Sequence, residues 1–323
     1  MLSNSILLGA VILPLLVSAY ILRRLKVFSS ASLANAPQRP NRLTLLDVFL
    51  PIAAALTAPV VVLAATRSIT LANDGVDAAA ALVIVFFVSR HFTDGRRGLG
   101  ISSNGMGRAI RFGAALYVGV MPWLLICEVI SAILQKKLLN EKERTHPVLK
   151  KLEHVHSFQG IFSLVVMICV IAPIAEELFF RGVVQTLIIK TIAWFKGGQP
   201  RALLPTVNDR RMGIVIAAAI FASMHLLVAS HTWSWLPPLF LLGIALGYAY
   251  ERTGSLWADI TIHAMFNGLA VVLILSGAAT PATTRPTPEQ FVPKAIPRMP
   301  VAPPLPLNHA DGKTVIALNF LQP

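Results

Sequence analysis

The chain has 323 residues, 55% of them hydrophobic and only 13% charged, and its mean hydropathy is +0.68. Soluble domains carry about 25% charged residues, so the composition excludes an ordinary soluble enzyme and predicts an all-α polytopic membrane bundle of about eight transmembrane helices. The formal net charge of +13 suits basic cytoplasmic loops, and no basic patch is interleaved with aromatics, so nucleic acid is not an expected partner.

In chain order, the first apolar stretch is 5–22. Arg23, Arg24 and Lys26 follow it. A cleavable leader carries its positive charge before the apolar run, so this reads as an uncleaved anchor with its N-terminus outside. A second span, 45–65, contains Pro51 and Pro59, kinks that neighbouring helices absorb in lipid. A polar outer loop over 66–77 leads to a third span at 78–92. Arg90, Arg96, Arg97, Arg108 and Arg111 then mark a cytoplasmic loop before a fourth span at 110–134. Residues 1–135 thus form an N-terminal group of spans. The mixed-charge stretch 136–157 reads as a loop, with His146, His154 and His156 on a solvated face rather than around a metal.

The fifth span, 158–175, ends on a pair of carboxylates, Glu176 and Glu177, with Arg181 close behind. Residues 180–195 continue as an apolar and basic helix in the interface. Spans at 212–228, 236–250 and 256–275 complete a second unit, 158–276. Beyond it, prolines from Pro281 to Pro306 break any regular element, and 277–323 reads as a disordered tether. Cys127 and Cys169 each lie in an apolar run, as small buried hydrophobes without disulfide or thiol-ligand spacing.

An ionisable group within a membrane-length segment costs about 2.5–3.5 kcal/mol, so such groups mark a site by default. Successive helical residues turn by about 100°. Glu177 and Arg181 therefore share a face and pair, while Glu176 points elsewhere. One held carboxylate beside one free carboxylate suits general-base chemistry, and it equally describes a helix cap with a salt bridge. His225 stands in an apolar helix, where a histidine more often packs through a hydrogen bond. His263 and Asn267, four apart, share one stripe of the last span. Gly243 and Gly247 give the seventh span a small-xxx-small face for close packing.

Taken together, Glu176-Glu177-xxx-Arg181, Phe221-xxx-His225 and His263-xxx-Asn267, with the glycine-rich run from Leu241 to Trp257, resemble the CPBP intramembrane protease family. This is the CAAX protease and bacteriocin-processing (Abi) group, which includes the type II CAAX prenyl endopeptidases. The resemblance covers roughly 158–275; the first four spans and the tail carry no motif of it. It implies an endopeptidase acting on a peptide or protein in or at the bilayer. Glu176 would be the general base and His225 would bind and polarise the water. Glu177 and Arg181 would orient the site, and His263 and Asn267 would donate to the developing oxyanion. Prenylated CAAX tails are the family's eukaryotic substrate.

No required cofactor is expected. A glutamate and two histidines are also a zinc set, so if a divalent metal such as zinc takes part, its ligands would be Glu176, His225 and His263. The zinc-helix signature His-Glu-x-x-His is absent. The expected setting is a bacterial plasma membrane. A non-proteolytic scaffold or chaperone of the same fold is the alternative reading, and a transporter with a Glu/His proton relay is a third.

Overall fold

In hydrocarbon every backbone N–H and C=O has to be satisfied within the protein, and this chain satisfies them with helices. The computed structural model describes residues 4–29, 31–66, 69–139, 152, 155, 157–197, 205–228 and 233–276. Eight long helices run through them: α1 Asn4–Arg24, α2 Leu46–Thr66, α3 Ile69–Phe86, α4 Met106–Leu139, α5 Phe158–Lys196, α6 Val207–Val228, α7 Leu236–Thr253 and α8 Leu256–Leu275. Four of them (α2, α4, α5 and α8) are long and apolar enough to cross a membrane. Among the described residues there is no strand, only an isolated bridge between Asn41 and Phe92. The protein is an all-α membrane bundle. The proline-rich tail and the three grouped histidines of the charged stretch lie outside the described residues.

Local chemistry sets the helix starts. Ser157 Oγ accepts from Gly160 N–H at 3.2 Å ahead of α5. Ahead of α6, Thr206 N–H donates to Asp209 at 2.9 Å and Asp209 N–H donates back to Thr206 Oγ1 at 3.3 Å, a capping box. Between α7 and α8 the chain turns at Gly254, whose φ of +65° suits glycine and whose Cβ would lie 2.9 Å from the Pro37 ring.

Lipid offers helices no hydrophobic reason to associate, so close approach through small residues does that work. A Cβ on Gly113 of α4 would stand 2.2 Å from the Ala258 carbonyl oxygen of α8, and one on Gly243 of α7 would stand 2.9 Å from Ala218 Cβ of α6. The expected packing role of the seventh-span glycines is what the structure contains. Leu116 of α4, Phe180 of α5, Phe221 of α6, Leu246 of α7 and Ile262 of α8 meet in one core. Phe49, Leu56 and Val60 on α2 stay exposed, as lipid-facing residues do.

The chain differs from the sequence expectation in two places. The polar loop over 66–77 is almost absent, because α3 already begins at Ile69. A few polar residues and one glycine are a small helical penalty beside the gain of satisfied backbone groups. The fifth span does not stop at the carboxylates either. Phe158–Lys196 is one helical run of 39 residues, about 58 Å at 1.5 Å per residue, nearly twice a hydrocarbon core. The pair therefore sits in mid-helix. Two stretches of this run, Met167–Ile171 and Leu178–Gln185, are π-wound and flank it. Such turns cluster at functional sites.

Candidate active site

Three helices place the ionisable groups: α5 carries Glu176, Glu177 and Arg181, α6 carries His225, and α8 carries His263 and Asn267. The four-residue spacing acts as read. Arg181 Nη1 donates to Glu177 Oε1 at 3.2 Å, and its Nε lies 3.1 Å from Oε2. Both side chains are buried, and the guanidinium also lies 4.5 Å from the centroid of the Phe221 ring. Glu177 Oε1 meets His263 Nδ1 at 2.7 Å. Glu176 faces the other way, and its Oε2 is 3.8 Å from His225 Nε2 and 3.9 Å from His263 Nε2.

The proton positions follow from the partners. His225 Nδ1 lies 2.8 Å from Phe221 O, which only accepts, so this nitrogen carries a hydrogen. His263 Nδ1 faces a carboxylate already held by Arg181, so it too is a donor. In the neutral rings both Nε2 atoms are then acceptors, and both are turned toward Glu176 Oε2, a buried acceptor with no hydrogen-bond partner. Three acceptors converge on one point, and that arrangement calls for a donor between them. Two hydrogen bonds of about 2.8 Å meeting near a right angle span about 4 Å, so the observed separations suit a bridging water. A water in that place touches a base on one side and imidazoles on the other.

Exposure makes the site one-sided. Glu176 and His225 keep 29% and 21% of their side chains accessible, whereas Glu177 and His263 keep 0% and 4%. Of these four side chains the accessible ones are Glu176 and His225, so a reactant can approach from their side.

Asn267 is placed differently from the other five. Its Nδ2 donates to the carbonyl of Ile168 at 2.8 Å, inside the first π-wound stretch. Thr186 Oγ1 likewise donates to Arg181 O at 3.0 Å in the second. Winding that departs from the i→i−4 ladder frees carbonyls, and these side chains take them up. Asn267 thus ties α8 to α5 about two turns ahead of the carboxylates.

The donor types would suit a divalent metal. In both histidines the nitrogen away from Glu176 is bonded to an oxygen, the usual support of a metal-binding imidazole. Among the described residues, however, no group of three or more His, Cys, Asp or Glu is spaced to hold a metal ion.

Sequence reasoning passed over Gln185 and Asp259. Both are fully buried, and Asp259 Oδ2 has no hydrogen-bond partner. Asp259 lies four residues before His263, a spacing that puts it on the same stripe of α8. Arg39 and Arg210 both pair with the buried Glu251.

Residues 158–269 match a family model described as type II CAAX prenyl endopeptidase Rce1-like. No curated protein and no solved structure matches the chain.

Proposed function

We propose, from the premise that residues 158–269 belong to the Rce1-like family of type II CAAX prenyl endopeptidases, that this integral membrane protein hydrolyses a peptide bond of a membrane-associated peptide or protein with water activated by Glu176. The single observation that carries the reading is the convergence of Glu176 Oε2 with the Nε2 atoms of His225 and His263.

In this mechanism the water lies between Glu176 and the imidazoles. Glu176 takes its proton as the oxygen attacks the scissile carbonyl carbon, and His225 Nε2 accepts the second water hydrogen and holds the lone pair in line. The carbon–nitrogen bond then breaks, and the proton on Glu176 passes to the leaving amine. His263 spends Nδ1–H on Glu177, so it donates to the oxyanion from Nε2 when it enters the reaction already protonated; in that state Glu176 and His225 are the two acceptors for the two water hydrogens. Asn267 has one N–H engaged by Ile168 O and a second left for the same oxyanion. One such donor typically supplies about 2.7–4 kcal/mol of barrier lowering. Arg181 and Glu177 hold His263 in place. A divalent metal held by Glu176, His225 and His263 would supply Lewis-acid polarisation of the water.

The substrate class follows the family, a CAAX-type or related segment at the bilayer, and the membrane is read as a bacterial plasma membrane. The test is purified protein in proteoliposomes with a panel of membrane-anchored peptides, prenylated and not, with and without a chelator. Cleavage that survives the chelator and disappears in Glu176→Gln is the expected result. Equal cleavage by Glu176→Gln would overturn the base assignment, and cleavage abolished by the chelator would replace the glutamate route with the metal one.

A further inference from the structure

The polar residues of α5 do not end at Arg181. Glu177, Arg181 and Gln185 follow one another at intervals of four, and α7 presents Gly243, Gly247 and Glu251 at the same interval. The two series meet. Arg181 Nη2 lies 3.4 Å from the Gly243 carbonyl, and Gln185 Nε2 donates to the Gly247 carbonyl at 3.1 Å and to Glu251 Oε1 at 3.2 Å. Gln185 and Glu251 are wholly buried. Arg39 and Arg210 clamp Glu251 from the other side, which fixes the far end of the series.

Gly247 is part of the fit. A Cβ there would stand 2.4 Å from Gln185 Oε1, so the glutamine amide lies flat on α7 only because residue 247 has no side chain. The glutamine chemistry is equally specific. Both amide hydrogens go to acceptors, the Gly247 carbonyl and the Glu251 carboxylate, a pairing that a carboxylate at position 185 would turn into repulsion.

The rungs coincide with the π-wound stretch Leu178–Gln185. A π-wound turn aims its side chains differently from the α-helical turns around it, and lipid sets no preferred direction for them. External partners then decide which way Arg181, and with it Glu177, faces. We propose that Gln185 and Glu251 are positioning residues of the proteolytic site: they fix the rotation of the π-wound turn of α5 against α7, and so hold Arg181 and Glu177 where Glu177 orients His263. The inference rests on the proteolytic reading above.

Four proteins reconstituted in parallel test it: wild type, Gln185→Met, Gln185→Glu and Gly247→Ala, with Gln185→Ala and Gln185→Ala/Gly247→Ala completing a cycle. Turnover of a membrane-anchored peptide is measured together with the proton resonance of the His263 Nδ1–H···Glu177 hydrogen bond. Gln185→Met is expected to lower kcat at least tenfold with KM within twofold, and to shift that resonance while the protein still accumulates in the membrane. Gln185→Glu should be worse than the methionine variant. Gly247→Ala should be costly in the wild-type background and clearly less so once residue 185 is alanine, when only the 3.2 Å approach to Ile214 is left. Unchanged kcat and resonance in Gln185→Met, or independent effects of the two alanine substitutions, would overturn the ladder. A wild type that cleaves nothing overturns the proteolytic reading instead, and the His263 resonance still decides whether Gln185 sets its geometry.

Discussion

Replacing Arg181 by methionine isolates the charge logic of the site. The side chain of Arg181 is 1% exposed and that of Glu177 is 0% exposed, so water cannot screen what is left behind. Charge centres about 4 Å apart at an effective dielectric of about 20 attract by about 4 kcal/mol. Stranding one member of a buried pair is measured at about 3–5 kcal/mol, the same range. After Arg181→Met, Glu177 retains only the His263 Nδ1–H among its present partners. The variant should therefore lose about 3–5 kcal/mol, read as reduced accumulation and a lowered denaturation midpoint in detergent. Glu177→Gln/Arg181→Met, which removes both charges and keeps both volumes, should recover most of that loss while remaining catalytically impaired. If the double variant is as unstable as Arg181→Met alone, uncompensated charge is not the cause and the electrostatic account of this pair fails.

Three further outcomes follow from named contacts. Gly113→Ala places a methyl 2.2 Å from the Ala258 carbonyl oxygen, a backbone atom that cannot rotate away, and should destabilise the α4–α8 contact by about 1–3 kcal/mol, measured as a fall in thermal midpoint. His225→Phe keeps an aromatic ring but removes one imidazole facing Glu176, and should cut turnover on the order of 10²-fold with normal accumulation. Asp209 lies ahead of the apolar part of α6; burial alone would push its carboxyl up, but hydrogen bonds from Lys196 and Thr206 outweigh that and hold it below its ordinary 3.8. A depressed folded value means that the carboxylate's contribution is fully present above 3.8 and fades as pH falls through the folded value. The stability difference between wild type and Asp209→Asn, followed by denaturation against pH, should be level at neutral pH and shrink only in the acid range.

Much of this was open to a reader of the sequence, for periodic reasons. A spacing of four pairs Glu177 with Arg181 whatever surrounds them, and the next residue round the helix leaves Glu176 free to face His225 and His263. The glycines at 243 and 247 announce a close approach. What stayed hidden depends on partners distant in sequence. The continuity of α5 was obscured because its charges look like the end of a span, and they are tolerated in mid-helix through groups on α6, α7 and α8. The π winding was hidden because its freed carbonyls are answered by Asn267, on another helix, and by Thr186. Gln185 carries no charge and drew no notice, although its interval from Arg181, matched by that of Glu251 from Gly247, was visible. Arg39 and Arg210 look like ordinary cytoplasmic charges; only the fold shows them turned inward onto Glu251.

The π-wound stretch from Leu178 to Gln185 gives the length of the chain a chemical meaning. Between the carboxylates and Gln185, every residue helps to set the angle at which the side chains beyond emerge. Losing or gaining a single amino acid there would swing Gln185 round the helix axis by roughly a quarter of a turn while leaving composition and apolar character almost untouched. This short interval should thus resist a change in the number of its residues as firmly as it resists loss of its buried side chains, a constraint invisible to any measure based on hydropathy.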